Sequence, residues 1–133
     1  MRIVIDTNVL VSGVFFGGAP LRVLQSWRDG ISHLVLSPEI LVEYRRVGDE
    51  LSAKYDGASL TPFLNLVITH AEMIEAPALP ERVCRDEDDD KFIACAVAGH
   101  CLLVISGDRD LLDVGEYGEI RILSPREFLD SLP

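Results

Sequence analysis

The sequence predicts an α/β protein, a three-layer α/β/α sandwich with a central parallel sheet, and three observations carry that reading. Short apolar, β-branched runs alternate along the chain with helical stretches of 3.6-residue period. The first run, Ile3-Val4-Ile5, is apolar at every position, as a strand buried on both faces requires. Polar residues end the strands abruptly, Asp6-Thr7-Asn8 after the first and Ser106-Gly107-Asp108 after a later one. In open α/β sheets, the edge beyond the carboxyl ends of the strands is where ligands bind.

Taken in order, strand 1 gives way to a short helix over Asn8 to Ser12, with Asp6 or Thr7 able to cap it. Gly13 to Pro20 reads as a glycine-rich loop, and Pro20 suits the first turn of a helix running to Asp29 with Leu21, Leu24 and Trp27 on its inner side. His33 to Leu36 is strand 2. Ser37-Pro38 supplies an N-cap and an N1 proline for a helix through Val47, whose stripe is Ile40, Tyr44 and Val47. Gly48 to Ser59 is polar and turn-rich. Leu60 to Thr69 is helical, Ala71 to Ile74 a short strand 3, and Glu75 to Arg85, with two prolines, extended. The acidic cluster Asp86 to Asp90 opens a helix over Lys91 to Ala98 that Gly99 closes. Leu102 to Ile105 is strand 4, followed by the Ser106-Gly107-Asp108 turn and a short helix; Ile120 to Leu123 is strand 5, and Pro125 to Leu132 the last helix. Repeats and low-complexity segments are absent, so residues 1–133 read as one domain with ample length for a core.

Composition narrows the class. An apolar content of 48% and a charged content of 26% are those of a globular chain, and no apolar run reaches membrane-spanning length. The N-terminus lacks a basic region followed by a long apolar one, so a cytoplasmic location is expected. Cys84, Cys95 and Cys101 are odd in number and without C-x-x-C spacing, which points to apolar fillers rather than a disulfide or zinc site. His33, His70 and His100 fall at element boundaries, where surface or capping roles are the ordinary ones. The net charge of −10 counts against a broad basic face for nucleic acid and fits a site that concentrates carboxylates, or a basic partner.

A parallel sheet makes a geometric prediction from these acids. Asp6 ends strand 1, Asp108 follows strand 4, and the Asp86–Asp90 cluster opens the helix before strand 4, so all three groups should meet at one sheet edge. Taken alone, RDEDDDK is a solvated helix N-terminus complementing the macrodipole. Helical phase selects within it: Asp89 shares a face with Phe92, Ile93 and Ala96, while Asp88 and Asp90 lie to either side. Glu43, between Ile40 and Val47, borders the apolar face of its helix, where a surface glutamate is the ordinary reading. Several inward carboxylates raise one another's pKa, and a hard divalent cation relieves the repulsion. Carboxylate donors without histidine or cysteine point to Mg²⁺ or Mn²⁺, which neutralises an in-line phosphoryl transition state.

The patterns MRIVIDTNVLVSG, LSPEILVEYRRV, CRDEDDDKFIACAVA and LLVISGDRDLL, in this order, resemble the PIN-domain proteins and, among them, the prokaryotic toxins of toxin–antitoxin pairs. The resemblance runs from Met1 to about Leu129 and is weakest over Gly48 to Glu81. It implies a ribonuclease dependent on Mg²⁺ or Mn²⁺ that cleaves RNA, with Asp6, Glu43, Asp89 and Asp108 as catalytic and metal-binding acids. Asn8, Ser106 and Asp110 take supporting places; Ser106 stands where threonine is common and Glu87 where proline is frequent. It further implies a small antitoxin partner that covers the site, with an Arg or Lys set among the carboxylates, and a homodimer. Arg45, Arg46, Lys91 and Arg109 flank the acids and could reach phosphates locally. The competing readings are a non-catalytic RNA-binding or assembly module on the same fold, and a receiver-like signalling domain. The second lacks paired acids after strand 1 and a lysine near strand 5.

Overall fold

The computed structural model describes residues 1–55 and 59–133. Its strands are β1 (Arg2–Ile5), β2 (His33–Leu36), β3 (Glu72–Met73), β4 (Leu103–Ile105), β5 (Glu116–Tyr117) and β6 (Ile120–Leu123). They form one sheet in the order β3-β2-β1-β4-β6-β5, so the strand read as doubly buried is central, and Ile3, Val4 and Ile5 are each 0% exposed. The helices α1 (Thr7–Phe15), α2 (Gly18–Arg28), α3 (Pro38–Lys54), α4 (Thr61–His70), α5 (Asp90–Ala98), α6 (Arg109–Val114) and α7 (Pro125–Ser131) flank it, completing the α/β/α sandwich. A single 3₁₀ turn, Glu87–Asp89, leads into α5.

The pairings of β1 with β2 and β4, of β2 with β3 and of β4 with β6 are parallel. From β1 the chain builds outward through β2 and β3, then returns to the other side of β1 with β4. The order therefore reverses between β1 and β4, and the carboxyl ends of these two strands frame the crevice where such sheets bind ligands. Register makes the crevice narrow. Ile5 lies opposite Ile105, and Ile105 opposite Leu123, so Asp6 and Ser106 leave the sheet side by side.

The structure corrects several boundaries. Gly13 to Pro20 is not a loop: α1 runs through Gly13 to Phe15 and α2 begins at Gly18. Gly13 is present for close approach, since a Cβ there would lie 2.6 Å from Leu24 Cδ1 and 3.0 Å from the Pro20 backbone. Leu21, expected inside, is 37% exposed. The buried side of α2 is that of Val23, Leu24 and the half-buried Trp27, and Leu21 lies about 60° from Leu24 on the opposite flank, at 100° per residue. The third helix does not stop at Val47 but continues to Lys54. Gly48, read as its end, is buried within it, where a Cβ would fall 2.3 Å from Leu60 Cδ2. Of the turn-rich stretch predicted over Gly48 to Ser59, residues 56–58 lie outside the described residues. The sheet is also not wholly parallel, because β5 forms an antiparallel hairpin with β6 through Tyr117 and Ile120. Two residues are too few to show a strand period.

Cys84, Cys95 and Cys101 are buried free thiols. Burial raises all three, Cys95 to about 12 and Cys101 to about 11. Among the described residues no single helix is long and apolar enough to cross a membrane; α1 and α2 reach that length only together, across a 98° bend.

Candidate metal centre

At the β1–β4 crevice one hydroxyl links the acids of the two strands. Asp6 is 2% exposed and caps α1, one carboxylate oxygen accepting the Val9 N–H at 2.9 Å while the other accepts the hydroxyl of Ser106. The same Ser106 Oγ accepts the Asp108 N–H at 2.9 Å, and Asp108 caps α6 by accepting the Asp110 N–H at 2.7 Å. Asp6 and Asp108, far apart in sequence, thus belong to one hydrogen-bonded chain through Ser106. Burial pushes Asp6 up to about 6, and the Asp108 charge adds to the rise while Ser106 and the Val9 amide oppose it.

From the other side, the 3₁₀ turn delivers Asp89. Phe92, Ile93 and Ala96 are buried beneath it, as the helical phase predicts. Oxygen atoms of Asp89, Asp108 and Asp110 all lie within 4.8 Å of one another. Asp89 is pushed up to about 7, first by burial and then by the charges of Asp108, Asp86, Asp110 and Glu43. Among the described residues one cation comes within 4.0 Å of these carboxylates, the exposed Arg85, 3.8 Å from Asp110. Three carboxylates so close, weakly compensated and half-buried, form a donor set suited to a hard divalent cation. Asp110, expected in a supporting place, belongs to this trio, whereas Asp6 and Glu43 do not.

Glu43 reaches the same edge because its neighbour Tyr44 is fully buried and donates its hydroxyl to the Ile5 carbonyl, pinning α3 against the end of β1. Burial raises the Tyr44 phenol well above its ordinary value, so it remains a donor. The Glu43 carboxylate accepts the Thr7 hydroxyl on one oxygen and pairs with Lys91 on the other, with Arg46 4.0 Å away. Lys91 also meets Asp88 at 3.2 Å. Burial works to lower the Lys91 ammonium, but Glu43 and Asp88 outweigh it and the net shift is upward. In the sequence Thr7 reads as a helix cap and Lys91 as a phosphate contact or an exposed helix charge; the pairing with Glu43 joins three elements and leaves no local signal.

The cluster's other acids divide sharply. Asp88 is exposed, as expected. Asp90 is not an equivalent flank: its carboxylate accepts the Val83 N–H at 3.0 Å and the Cys84 N–H at 2.7 Å, tying the segment before the 3₁₀ turn to α5. Burial alone would raise Asp90, but these amide donors outweigh it and its pKa is lowered. Asn8, Arg45 and Arg109 are exposed, and Arg46 pairs with Glu50 at 3.1 Å.

Comparison with known proteins agrees with this fold. The family model described as PIN domain matches residues 2–110. An uncharacterized protein of Methanocaldococcus jannaschii is 28% identical, over 98% of this chain and 90% of its own length. Among solved structures, VapBC2 from Rickettsia felis, bound to a DNA fragment from its promoter, superposes with a TM-score of 0.59. That match covers 93% of this chain and 98% of the other at 11% identity, a likeness of fold.

Proposed function

The chain belongs to the PIN-domain family, and from that premise we propose that it is an endoribonuclease dependent on Mg²⁺ or Mn²⁺, acting as the toxin of a toxin–antitoxin pair. The observation that carries the catalytic part is the convergence of Asp89, Asp108 and Asp110 within 4.8 Å at the β1–β4 crevice. These three would hold the cation. When bound, it supplies neutralising charge for in-line attack on a phosphodiester and lowers the pKa of water. Asp6 holds Ser106, which in turn holds the Asp108 backbone, so the acid of β1 orients the acid of β4. Glu43, paired with Lys91, borders the site on the α3 side. Arg85 and Arg109, exposed beside the trio, are placed to meet RNA phosphates. With a net charge of −10, such contacts are local rather than a broad basic face.

The test is cleavage of a panel of RNAs by the purified chain with Mn²⁺, with Mg²⁺ and with EDTA. Cleavage in metal that stops in EDTA and is absent in Asp89→Asn is the expected result; cleavage that persists in EDTA overturns it.

The partner is proposed to be a small antitoxin. An apolar groove of about 560 Å³ between α2 and α4, lined by Leu24, Trp27, Phe63 and Leu66, supports a protein partner, as does the 52% exposure of Leu66. A homodimer and a cytoplasmic location belong to the same proposal. Co-purification with the product of an adjacent short gene, with nuclease activity suppressed, is the expected outcome; an unaffected activity counts against the pairing.

A further inference from the structure

We propose that Lys91 is a built-in counter-cation standing where a second metal ion would otherwise sit, so that this site takes one divalent cation and not two. The inference rests on the metal-dependent reading above. It starts from an asymmetry among the acids. Both oxygens of Glu43 are already engaged, one by the Thr7 hydroxyl and one by the Lys91 ammonium. Among the described residues Asp89, Asp108 and Asp110 hold no ammonium group, and their oxygens crowd within 4.8 Å.

Lys91 is also not a surface lysine that happens to fall near a glutamate. Its side chain is 19% exposed, and it spans Glu43 on α3 and Asp88 in the 3₁₀ turn. Its ammonium lies 5.7 Å from the ring centroid of Phe92, itself 2% exposed. A lysine held this way gives up hydration and rotamer freedom, which a strong fixed counter-charge offsets. A second divalent ion drawn to Glu43 would have to compete with that ammonium for the same carboxylate oxygen. The arrangement supplies, from within the chain, the basic group among carboxylates that the family resemblance leads one to expect from a partner.

Lys91 is therefore a positioning residue: it fixes Glu43 and sets the metal count. The test is Mn²⁺ binding to the purified full chain by titration calorimetry, with free Mn²⁺ followed by electron paramagnetic resonance. Wild type should bind one ion. Lys91→Met, which keeps the stem over Phe92 and removes the charge, should bind two. Lys91→Arg should return to one, and so should Lys91→Met combined with Glu43→Gln, since the second site then loses its carboxylate. Circular dichroism checks that each variant is folded, and the wild-type count needs no variant at all. Two ions in wild type, or one in folded Lys91→Met, overturns the proposal while leaving the nuclease reading standing. No ion bound by wild type overturns both.

Discussion

The two sides of the carboxylate edge differ in who satisfies the acids. On the β1–α3 side, Asp6 and Glu43 are met by the protein: an amide and a hydroxyl for one, a hydroxyl and an ammonium for the other. On the β4–α5 side, Asp89, Asp108 and Asp110 face one another, with one amide for Asp108 and an exposed arginine 3.8 Å from Asp110. The first pattern is that of a framework, in which removing a carboxylate orphans its partners. The second is that of the proposed ligand cage, in which removing a carboxylate relieves repulsion. Substitutions therefore should separate the sides, stability falling on one and activity on the other.

The largest effect is expected for Asp89→Asn or Asp108→Asn. RNA cleavage in Mn²⁺ should fall by more than the roughly 10–100-fold that loss of an outer-shell partner costs, with thermal unfolding unchanged or at a higher temperature. A variant that loses stability instead would place that acid in the framework. Next is Asp6→Ala, which removes the α1 cap and the acceptor of the buried Ser106 hydroxyl. A cap contributes about 1 kcal/mol and an orphaned buried donor costs about 1–3 kcal/mol, so urea unfolding should show a loss of about 2 kcal/mol or more. Asp90→Ala, which frees the Val83 and Cys84 amides, should cost about 1–2 kcal/mol on the same grounds, measured by the same unfolding curves. If Asp90→Ala is as stable as wild type, the tie between that segment and α5 is idle.

Smaller again is the pH response without metal. Asp6 and Asp89 rise from 3.8 to about 6 and about 7, burial being the first cause in both. The folded chain then keeps protons that the unfolded chain has already released. The stabilisation is complete below about pH 4 and is lost as pH rises through the folded values, levelling off about one unit above the higher of them, at about pH 8. Unfolding temperature followed from pH 5 to 8 should therefore decline for these groups, and Mn²⁺ should flatten the decline by favouring the ionised form. A profile indifferent to Mn²⁺ would remove the cage. The smallest effect belongs to Asp88→Ala, whose 69%-exposed carboxylate should shift stability by less than about 0.5 kcal/mol.

Where a local rule had one physical meaning, the sequence was easy to read. A fully apolar, β-branched Ile3-Val4-Ile5 reads as a doubly covered strand, and Ser37-Pro38 caps α3 as expected. Where one residue serves two purposes, reading failed. Gly13 and Gly48 looked like breaks because glycine usually marks them, but each sits inside a helix to let Leu24 or Leu60 approach. In the candidate site, Asp89 was distinguishable because its phase matches Phe92, Ile93 and Ala96, while Asp90 was not, because its partners lie six and seven residues back in an irregular segment.

By itself, then, the sequence determined the alternation of strands and helices, the centrality of β1 and the return of the acids to one edge. All three follow from hydrophobic period and from the direction a parallel sheet imposes on its strand ends. Only the tertiary structure decided how those acids divide. Whether a carboxylate meets an amide, an ammonium or another carboxylate depends on register between β1 and β4 and on how closely α3 and α5 approach. Those distances are set by packing across elements, on which no single segment carries information.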